Sequence, residues 1–147
     1  MSQVNCRSIP QAPGYEVAKN GHVFHLGKVV YPEIRNAPYG PRLTVQICQS
    51  WVPVHVIMSD VWYSGAVVLC RTGNLMLFHA DVCFPLTKCP RLSSGEMPSA
   101  DQIRCVWHHY QQNNVRVSDL AAATSLQWQT EDFLGLIKAI LSASIRM

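Results

Sequence analysis

Four residues near the middle of the chain are of the types that bind zinc, namely Cys70, His79, Cys83 and Cys89. They are separated by eight, three and five residues, so they lack the close Cys-x-x-Cys pair found in most structural zinc sites. In a cytosolic chain, unpaired cysteines are commonly small residues packed in a core. We therefore expect buried thiols and predict neither a metal nor another cofactor, with a structural zinc as the alternative.

The familiar catalytic motifs are missing from the sequence. It contains no glycine-rich phosphate loop, no His-Glu-x-x-His and no Gly-x-Ser-x-Gly. His108 and His109 are adjacent on a predicted helix, where neighbouring side chains point apart and cannot chelate one ion. The nine acidic residues show no clear carboxylate pair. The sequence therefore predicts no catalytic residue.

A short segment has the side chains that read DNA bases, and it consists of Gln127, Trp128, Gln129 and Thr130. Glutamine pairs with adenine edges, and threonine contacts a phosphate or a thymine methyl group. Trp128 is expected to be exposed at the start of the third helix, where it would be a groove contact or an anchor for a protein partner. Glu131 and Asp132 follow directly, and their carboxylates either oppose phosphates or simply face the positive end of a helix.

The elements that must position this segment lie in residues 99–140, where periodicity, capping and a turn signal agree. Ser99 is a suitable N-cap with Gln102 three residues on, which predicts a capping box. Apolar residues then recur at helical spacing, namely Ile103, Val106, Trp107 and Tyr110. Asn113 and Asn114 are expected to end this helix because asparagine tolerates left-handed backbone angles.

Two further helices are predicted after it. The second begins near Ser118 and turns Leu120 and Ala121 inward, and residues 124–126 form a tight turn. The third helix is expected to bury Phe133, Leu134, Ile137 and Ile140. This order predicts a helix-turn-helix that presents the start of the third helix to the major groove, and the alternative is a plain three-helix bundle.

Basic residues are candidates for phosphate contacts. Near the predicted motif they are Arg116 and Lys138, with the hydroxyl of Ser118 beside them. The net charge is +3, and up to residue 57 five basic residues face two acidic ones. Further phosphate contacts are therefore predicted for Lys19, Lys28, Arg35 and Arg42. The alternative is a solvated basic face with no partner.

The first half of the chain is predicted to be strand-rich. Asn20 and Gly21 lie between two apolar runs, which is typical of a hairpin turn. Further strands are expected at residues 28–31, 42–47 and 66–69, with a short helix ending at residues 64–65. Residues 86–98 are rich in proline, serine and glycine and suggest a linker. The predicted α+β fold therefore has a strand-rich domain at 8–88, a linker at 89–98 and a helix-turn-helix domain at 99–147.

Location is predicted from what the sequence does not contain. No apolar run approaches the length that spans a bilayer, and the first residues lack the apolar core of a signal peptide. We therefore expect a cytoplasmic protein with no membrane partner.

The order of these parts resembles the phage HNH homing endonucleases, in which a small strand-rich module precedes the nuclease centre and a helix-turn-helix follows. The resemblance covers most of the chain and rests on order more than on any single motif. The matching segments are residues 13–17, 20–26, 39–40, 43–47, 54–55 and 103–126. It implies phage origin and a small antiparallel sheet followed by a ββα metal centre.

The resemblance also implies a histidine that activates water, an asparagine that orients it and a later ligand for a divalent ion. If residues 67–69 are the leading strand, Cys70 holds the place of the histidine. Asn74 then matches the asparagine, and the last ligand position falls near Val82 or Cys83. A thiol is a poor general base and valine binds no metal, so the HNH-like centre is predicted to be degenerate.

The sequence thus predicts a catalytically inactive HNH-like regulator of transcription that binds double-stranded DNA, at a promoter or together with the transcription machinery. One alternative is a metal-dependent nicking endonuclease that uses His79 and Asn74, although Asn74 after a glycine is more simply a turn residue. The other alternative is an inhibitor of a host protein such as RNA polymerase, with Trp128 beside Glu131 and Asp132 as its contact surface.

Overall fold

A computed structural model describes residues 5–145 of the 147-residue chain. Over this range the protein has an α+β fold with three small antiparallel sheets and four α-helices. The α+β class predicted from the sequence is therefore confirmed. None of the described helices is both long and apolar enough to cross a bilayer.

The first sheet is a four-stranded meander. Its strands follow chain order as β1 (Cys6–Ser8), β2 (Tyr15–Ala18), β3 (Val23–His25) and β4 (Lys28–Val30). The hairpin predicted around Asn20 and Gly21 is confirmed, since β2 pairs with β3 across that turn. Gly21 has a φ of +92°, and a Cβ there would lie 2.8 Å from Cβ of Phe78. Glycine is therefore required both by the turn and by the close approach of the loop that carries Phe78.

The second sheet leads directly into a helix. Its strands are β5 (Glu33–Ala37), β6 (Gly40–Ile47) and β7 (Ser50–Pro53), and α1 (Val54–Trp62) begins at the next residue. The predicted helix end is also confirmed, since Ser64 and Gly65 follow α1 with positive φ.

The third sheet is a hairpin of β8 (Val67–Cys70) and β9 (Cys83–Leu86). The first of these strands was expected, whereas β9 lies where the sequence patterns suggested no strand, at the edge of the predicted linker. A loop of residues 71–82 joins the two strands. The antiparallel register places Cys70 directly opposite Cys83.

The C-terminal helices are α2 (Ala100–Trp107), α3 (Leu120–Thr124) and α4 (Thr130–Ile145). The capping box is confirmed, because Ser99 Oγ accepts from the backbone N–H of Gln102 and Gln102 Oε1 accepts from that of Ser99. The α-helix ends earlier than predicted and continues as a π-helical turn over His108–Gln112. A 3-10 turn, Val117–Asp119, precedes α3.

The prediction that Ala121 and Leu134 face inward is wrong. Ala121 is exposed, and Leu134 on α4 retains 41% of its accessible surface. The buried face of α4 is formed instead by Phe133, Leu136, Ile137 and Ile140. This set follows the spacing of one helical face, and Leu134 lies about 100° away from Phe133 around the helix.

Buried side chains form two clusters. One joins the first two sheets to α1, through residues such as Val17, Val45 and Met58. The other joins the third sheet to the C-terminal helices, with Leu69, Phe84 and Leu86 packed in the same cluster as residues of α2, α3 and α4. This second core therefore contains side chains from both sides of the segment 89–98. The domain boundaries at 8–88 and 99–147 stay a prediction.

Candidate functional site

The turn between α3 and α4 fixes the segment predicted to read DNA. Ser125 adopts a left-handed conformation with φ of 61°, and the next residue, Leu126, is buried. Thr124 Oγ1 donates to the carbonyl of Leu120 and accepts from the N–H of Leu126. These contacts end α3 sharply and leave the chain that follows on the surface. Gln127, Gln129 and Thr130 are all exposed.

Asp132 serves the beginning of α4. Its Oδ2 accepts from the backbone N–H of Gln129 at 3.3 Å, and the N–H of Asp132 donates to the Gln129 carbonyl at 3.0 Å. The carboxylate also accepts from the backbone N–H and the hydroxyl of Ser93, both at 2.8 Å. The Ser93 hydroxyl is the main reason that the pKa of Asp132 is lowered. Of the two roles considered for this acid, the structure shows the one at the helix end.

The side chain of Trp128 is less exposed than predicted. It is half-buried, and its ring centroid lies 5.1 Å from that of Phe133 in the core. The side chain turns inward because burying an indole beside another aromatic ring removes a large apolar area from water. Trp128 therefore supports the start of α4 and presents only part of its surface to a partner.

Arg116, Ser118 and Lys138, the predicted phosphate contacts around this turn, are all exposed. Arg116 and Ser118 bracket the beginning of the 3-10 turn, which packs against α4. Lys138 lies on α4 itself, two turns after Thr130. Glu131 is exposed on the same helix and adds a negative charge at its start.

The basic residues of the N-terminal half lie on other elements, and some of them have partners. Arg42 Nη1 donates to Asp101 Oδ2 at 2.9 Å, so this guanidinium neutralises a carboxylate. Arg35 stacks 4.6 Å from the ring centroid of Trp51, and the ammonium of Lys19 lies 5.7 Å from a ring of Trp62. Lys28 is exposed on β4, which is an edge strand of its sheet.

Asp101, in the first turn of α2, connects that helix to the second sheet and α1. Besides Arg42, it contacts His55 Nε2 at 3.0 Å, and this imidazole is only 3% exposed. Burial is the main cause that lowers the pKa of His55 to about 4, and the charge of Arg104 lowers it further against the opposing effect of Asp101. The sequence patterns did not single out this pair, because its partners are 46 residues apart.

The pKa of His55 predicts a loss of stability in mild acid. The unfolded chain binds a proton at His55 near pH 6.5, whereas the folded chain resists protonation until about pH 4. The free energy of unfolding should therefore fall by roughly 3 kcal/mol as the pH decreases through this interval. Urea denaturation from pH 7 to pH 4 measures the change, and a smaller pH dependence is expected for His55→Gln. An unchanged slope in that variant would contradict the assignment.

The residues considered for zinc do not come together. Among residues 5–145, no group of three or more histidine, cysteine and acidic side chains is placed to hold a metal ion. Cys70 and Cys83 are buried and adjacent, whereas His79 is exposed and Cys89 is half-buried. The neighbouring Cys83 thiol is the main cause that lowers the pKa of Cys70 to about 5, and the neighbouring Cys70 together with burial raises the pKa of Cys83.

Asn74, the position matched to the HNH asparagine, acts in a turn. Its Oδ1 accepts from the backbone N–H of Met76 at 2.7 Å, as in the Asx turns that asparagine commonly forms. The preceding residue, Gly73, presents its carbonyl to His108 Nδ1 at 2.9 Å. A Cβ at Gly73 would lie 2.9 Å from the backbone nitrogen of Gln112. The loop of residues 71–82 is thus held against the π-helical turn.

Arg104 is the main site residue that the sequence patterns missed. It is buried, and its guanidinium donates to the carbonyls of Val68 and Leu75 and lies 5.4 Å from the ring centroid of Phe78. Trp107 Nε1 also donates to the carbonyl of Cys70, at 2.7 Å. The feature of the sequence that could have indicated its burial is its position directly after Ile103, on the apolar part of a predicted helix. Its role is to attach α2 to β8 and to the following loop.

Comparisons of the chain with models of protein families, with curated protein sequences and with solved structures find no match. What the protein does is therefore inferred from its own residues.

Proposed function

We propose that the protein is a catalytically inactive DNA-binding regulator whose α3 and α4 act as a helix-turn-helix on double-stranded DNA. The observation that carries this proposal is the left-handed turn at Ser125 followed by buried Leu126. This turn presents Gln127, Gln129 and Thr130 to solvent at the start of the second helix of the pair. Side-chain amides at that position can pair with adenine edges in the major groove.

Phosphate contacts would fix the orientation of the motif on the duplex. Arg116 and Ser118 lie at the entry to the preceding turn, which packs on α4, and Lys138 lies further along α4. These exposed groups supply charge and hydrogen-bond donors without reading sequence. The carboxylate of Asp132 accepts hydrogen bonds from Ser93 and Gln129. Of the two acids at the start of α4, Glu131 is therefore the one whose charge would oppose a phosphate.

The second part of the proposal is that the residues before the helix-turn-helix form an HNH-like domain that lacks the catalytic residues. The β8–β9 hairpin packs against α2, in the order of a ββα unit, and Arg104 and Trp107 bind the carbonyls of β8. The position that resembles the general base holds Cys70, and the position of the last metal ligand falls at Val82 or Cys83. We infer from this arrangement a phage protein that has kept a nuclease framework and acts on transcription by occupying DNA.

Substitution of the exposed glutamines tests the proposal. A preferred duplex is first selected with the full chain from a randomised pool. For Gln127→Ala combined with Gln129→Ala, we expect a 10- to 100-fold weaker affinity for that duplex, roughly 1–3 kcal/mol, with little change on unrelated DNA. Gln46→Ala on β6 is the matched control, since this glutamine is also exposed. Fluorescence anisotropy titration at constant salt measures the affinities.

The salt dependence of binding tests the phosphate contact separately. Arg116→Ala should weaken binding to all duplexes alike and reduce the slope of log affinity against log salt by about 1. Lys88→Ala should leave the slope unchanged, since Lys88 is an exposed cation two residues after the end of β9. Absence of duplex binding at low salt would overturn the proposal. Plasmid nicking with magnesium or manganese, abolished in His79→Ala, would instead establish the nuclease alternative.

A protein partner is a second candidate function, favoured by an apolar stripe on α4. Leu134 and Leu141 retain 41% and 39% of their accessible surface, and Ile145 is also exposed. These residues surround Lys138 at spacings of one helical face. Such a stripe suits a host protein such as RNA polymerase better than a phosphate backbone. Titration with purified bacterial RNA polymerase tests it, with Leu141→Ser expected to weaken binding and Ala121→Ser as the exposed control.

A further inference from the structure

Cys70 and Cys83 have the placement required for a disulfide across two strands. The N–H of Arg71 donates to the carbonyl of Val82 at 2.7 Å, so residues 71 and 82 form a hydrogen-bonded pair of the ladder. Since such pairs alternate with non-hydrogen-bonded ones, Cys70 and Cys83 form a pair of the second kind. The Cα atoms of these pairs lie about 4.5 Å apart, within the range that a disulfide bridges.

The two side chains also meet on the same face of the hairpin. Both cysteines are free and are only 3% and 1% exposed, and the strand register places them directly opposite each other. Antiparallel pairing fixes this contact through the backbone, so closing an S–S bond requires only small rotations of the side chains. The remaining described cysteines, Cys6, Cys48, Cys89 and Cys105, lie outside this strand pair.

We propose that Cys70 and Cys83 are a redox-active dithiol, a modification site at which hydrogen peroxide forms a reversible intramolecular disulfide. Cys70 is the attacking thiol, because its sulfur lies 3.1 Å from Thr72 Oγ1, a hydroxyl that can donate to a thiolate. The Cys83 sulfur instead donates to the carbonyl of Leu77 at 3.3 Å. This contact keeps Cys83 protonated until Cys70 has reacted.

The reaction balances with peroxide as the only oxidant. The Cys70 thiolate attacks one peroxide oxygen, the O–O bond breaks, and the leaving hydroxide takes up a proton to give water and a sulfenic acid. The Cys83 sulfur then attacks the sulfenic sulfur, the S–O bond breaks, and a second water leaves with the Cys83 proton. Two thiols and one peroxide thus give one disulfide and two waters. Because both thiols are buried, a small peroxide suits this site better than a bulky disulfide oxidant.

Mass spectrometry of the full-length protein tests the proposal directly. After limited peroxide treatment, free thiols are alkylated in denaturant and the chain is digested with trypsin, which cleaves after Arg71 between the two cysteines. We expect the intact protein to lose about 2 Da and the peptides 43–71 and 72–88 to be linked through Cys70 and Cys83. Dithiothreitol should reverse the change. Fragment ions separate a link at Cys70 from one at Cys48, which lies in the same peptide.

Variants provide the controls. Cys48→Ser and Cys89→Ser should still form the link, whereas Cys83→Ser should stop the reaction at a sulfenic acid that dimedone traps on Cys70. Complete alkylation of Cys70 and Cys83 after peroxide treatment, or links through other cysteines only, would overturn the proposal. The mapping on the unmodified chain decides the matter even if Cys83→Ser fails to fold.

Discussion

Replacing Arg104 by methionine is expected to lower the free energy of unfolding by about 3 kcal/mol. The guanidinium is buried and donates to the carbonyls of Val68 and Leu75, on β8 and on the loop that follows it. Its burial has a cost, which shows as a pKa lowered to about 10. Methionine removes that cost and fills similar space, but it leaves two backbone carbonyls without a donor. Each unsatisfied carbonyl costs about 1–3 kcal/mol, so the loss should exceed the gain.

Urea denaturation followed by circular dichroism measures the effect of Arg104→Met. Arg116→Met is the matched control, because Arg116 is exposed and its replacement should change stability by less than about 0.5 kcal/mol. The loop of residues 71–82 should also exchange its amide hydrogens faster in Arg104→Met, since Leu75 loses its attachment to α2. A stability equal to that of the control would show that the guanidinium is not held by these carbonyls.

The parts of the fold that were predicted from sequence are those fixed by local contacts. The hairpin at Asn20 and Gly21 depends on positive φ in the turn, and the start of α2 depends on Ser99 and Gln102, three residues apart. By contrast, β9 has only four residues and becomes a strand by pairing with β8 across a loop of twelve. No pattern within four residues indicates that pairing.

The same distinction applies to the candidate site. Exposure of Gln127, Gln129 and Thr130 follows from their place just after a turn, which the sequence indicates. Arg42 was predicted to be free for phosphate, yet its carboxylate partner Asp101 is 59 residues away. Trp128 was expected on the surface, and only the packing of α4 shows why its ring turns towards the core. Contacts with residues distant in sequence therefore determine which of the predicted DNA-binding residues remain exposed and without a partner side chain.

Replacing Phe84 by alanine is expected to destabilise the protein by about 3–5 kcal/mol, the usual range for a fully buried phenylalanine. Phe84 has no accessible surface and lies on β9, before the predicted linker. Its cluster nevertheless consists mainly of residues from the C-terminal helices, including Leu120, Phe133 and Ile137. The cavity should therefore weaken the helices as much as the hairpin.

Calorimetry and hydrogen exchange can distinguish this outcome from independent domains. If the hairpin and helices form one cooperative unit, Phe84→Ala should lower amide protection in α4 and in β8 by similar free energies, in a single shifted transition. Phe24→Ala is a suitable comparison, because Phe24 is buried in β3 of the first sheet. Its effect should be concentrated in that sheet. If the protection of α4 is unchanged in Phe84→Ala, the helices keep their stability without the side chain that β9 contributes. That result would favour a helical domain that folds independently of the strands before residue 89.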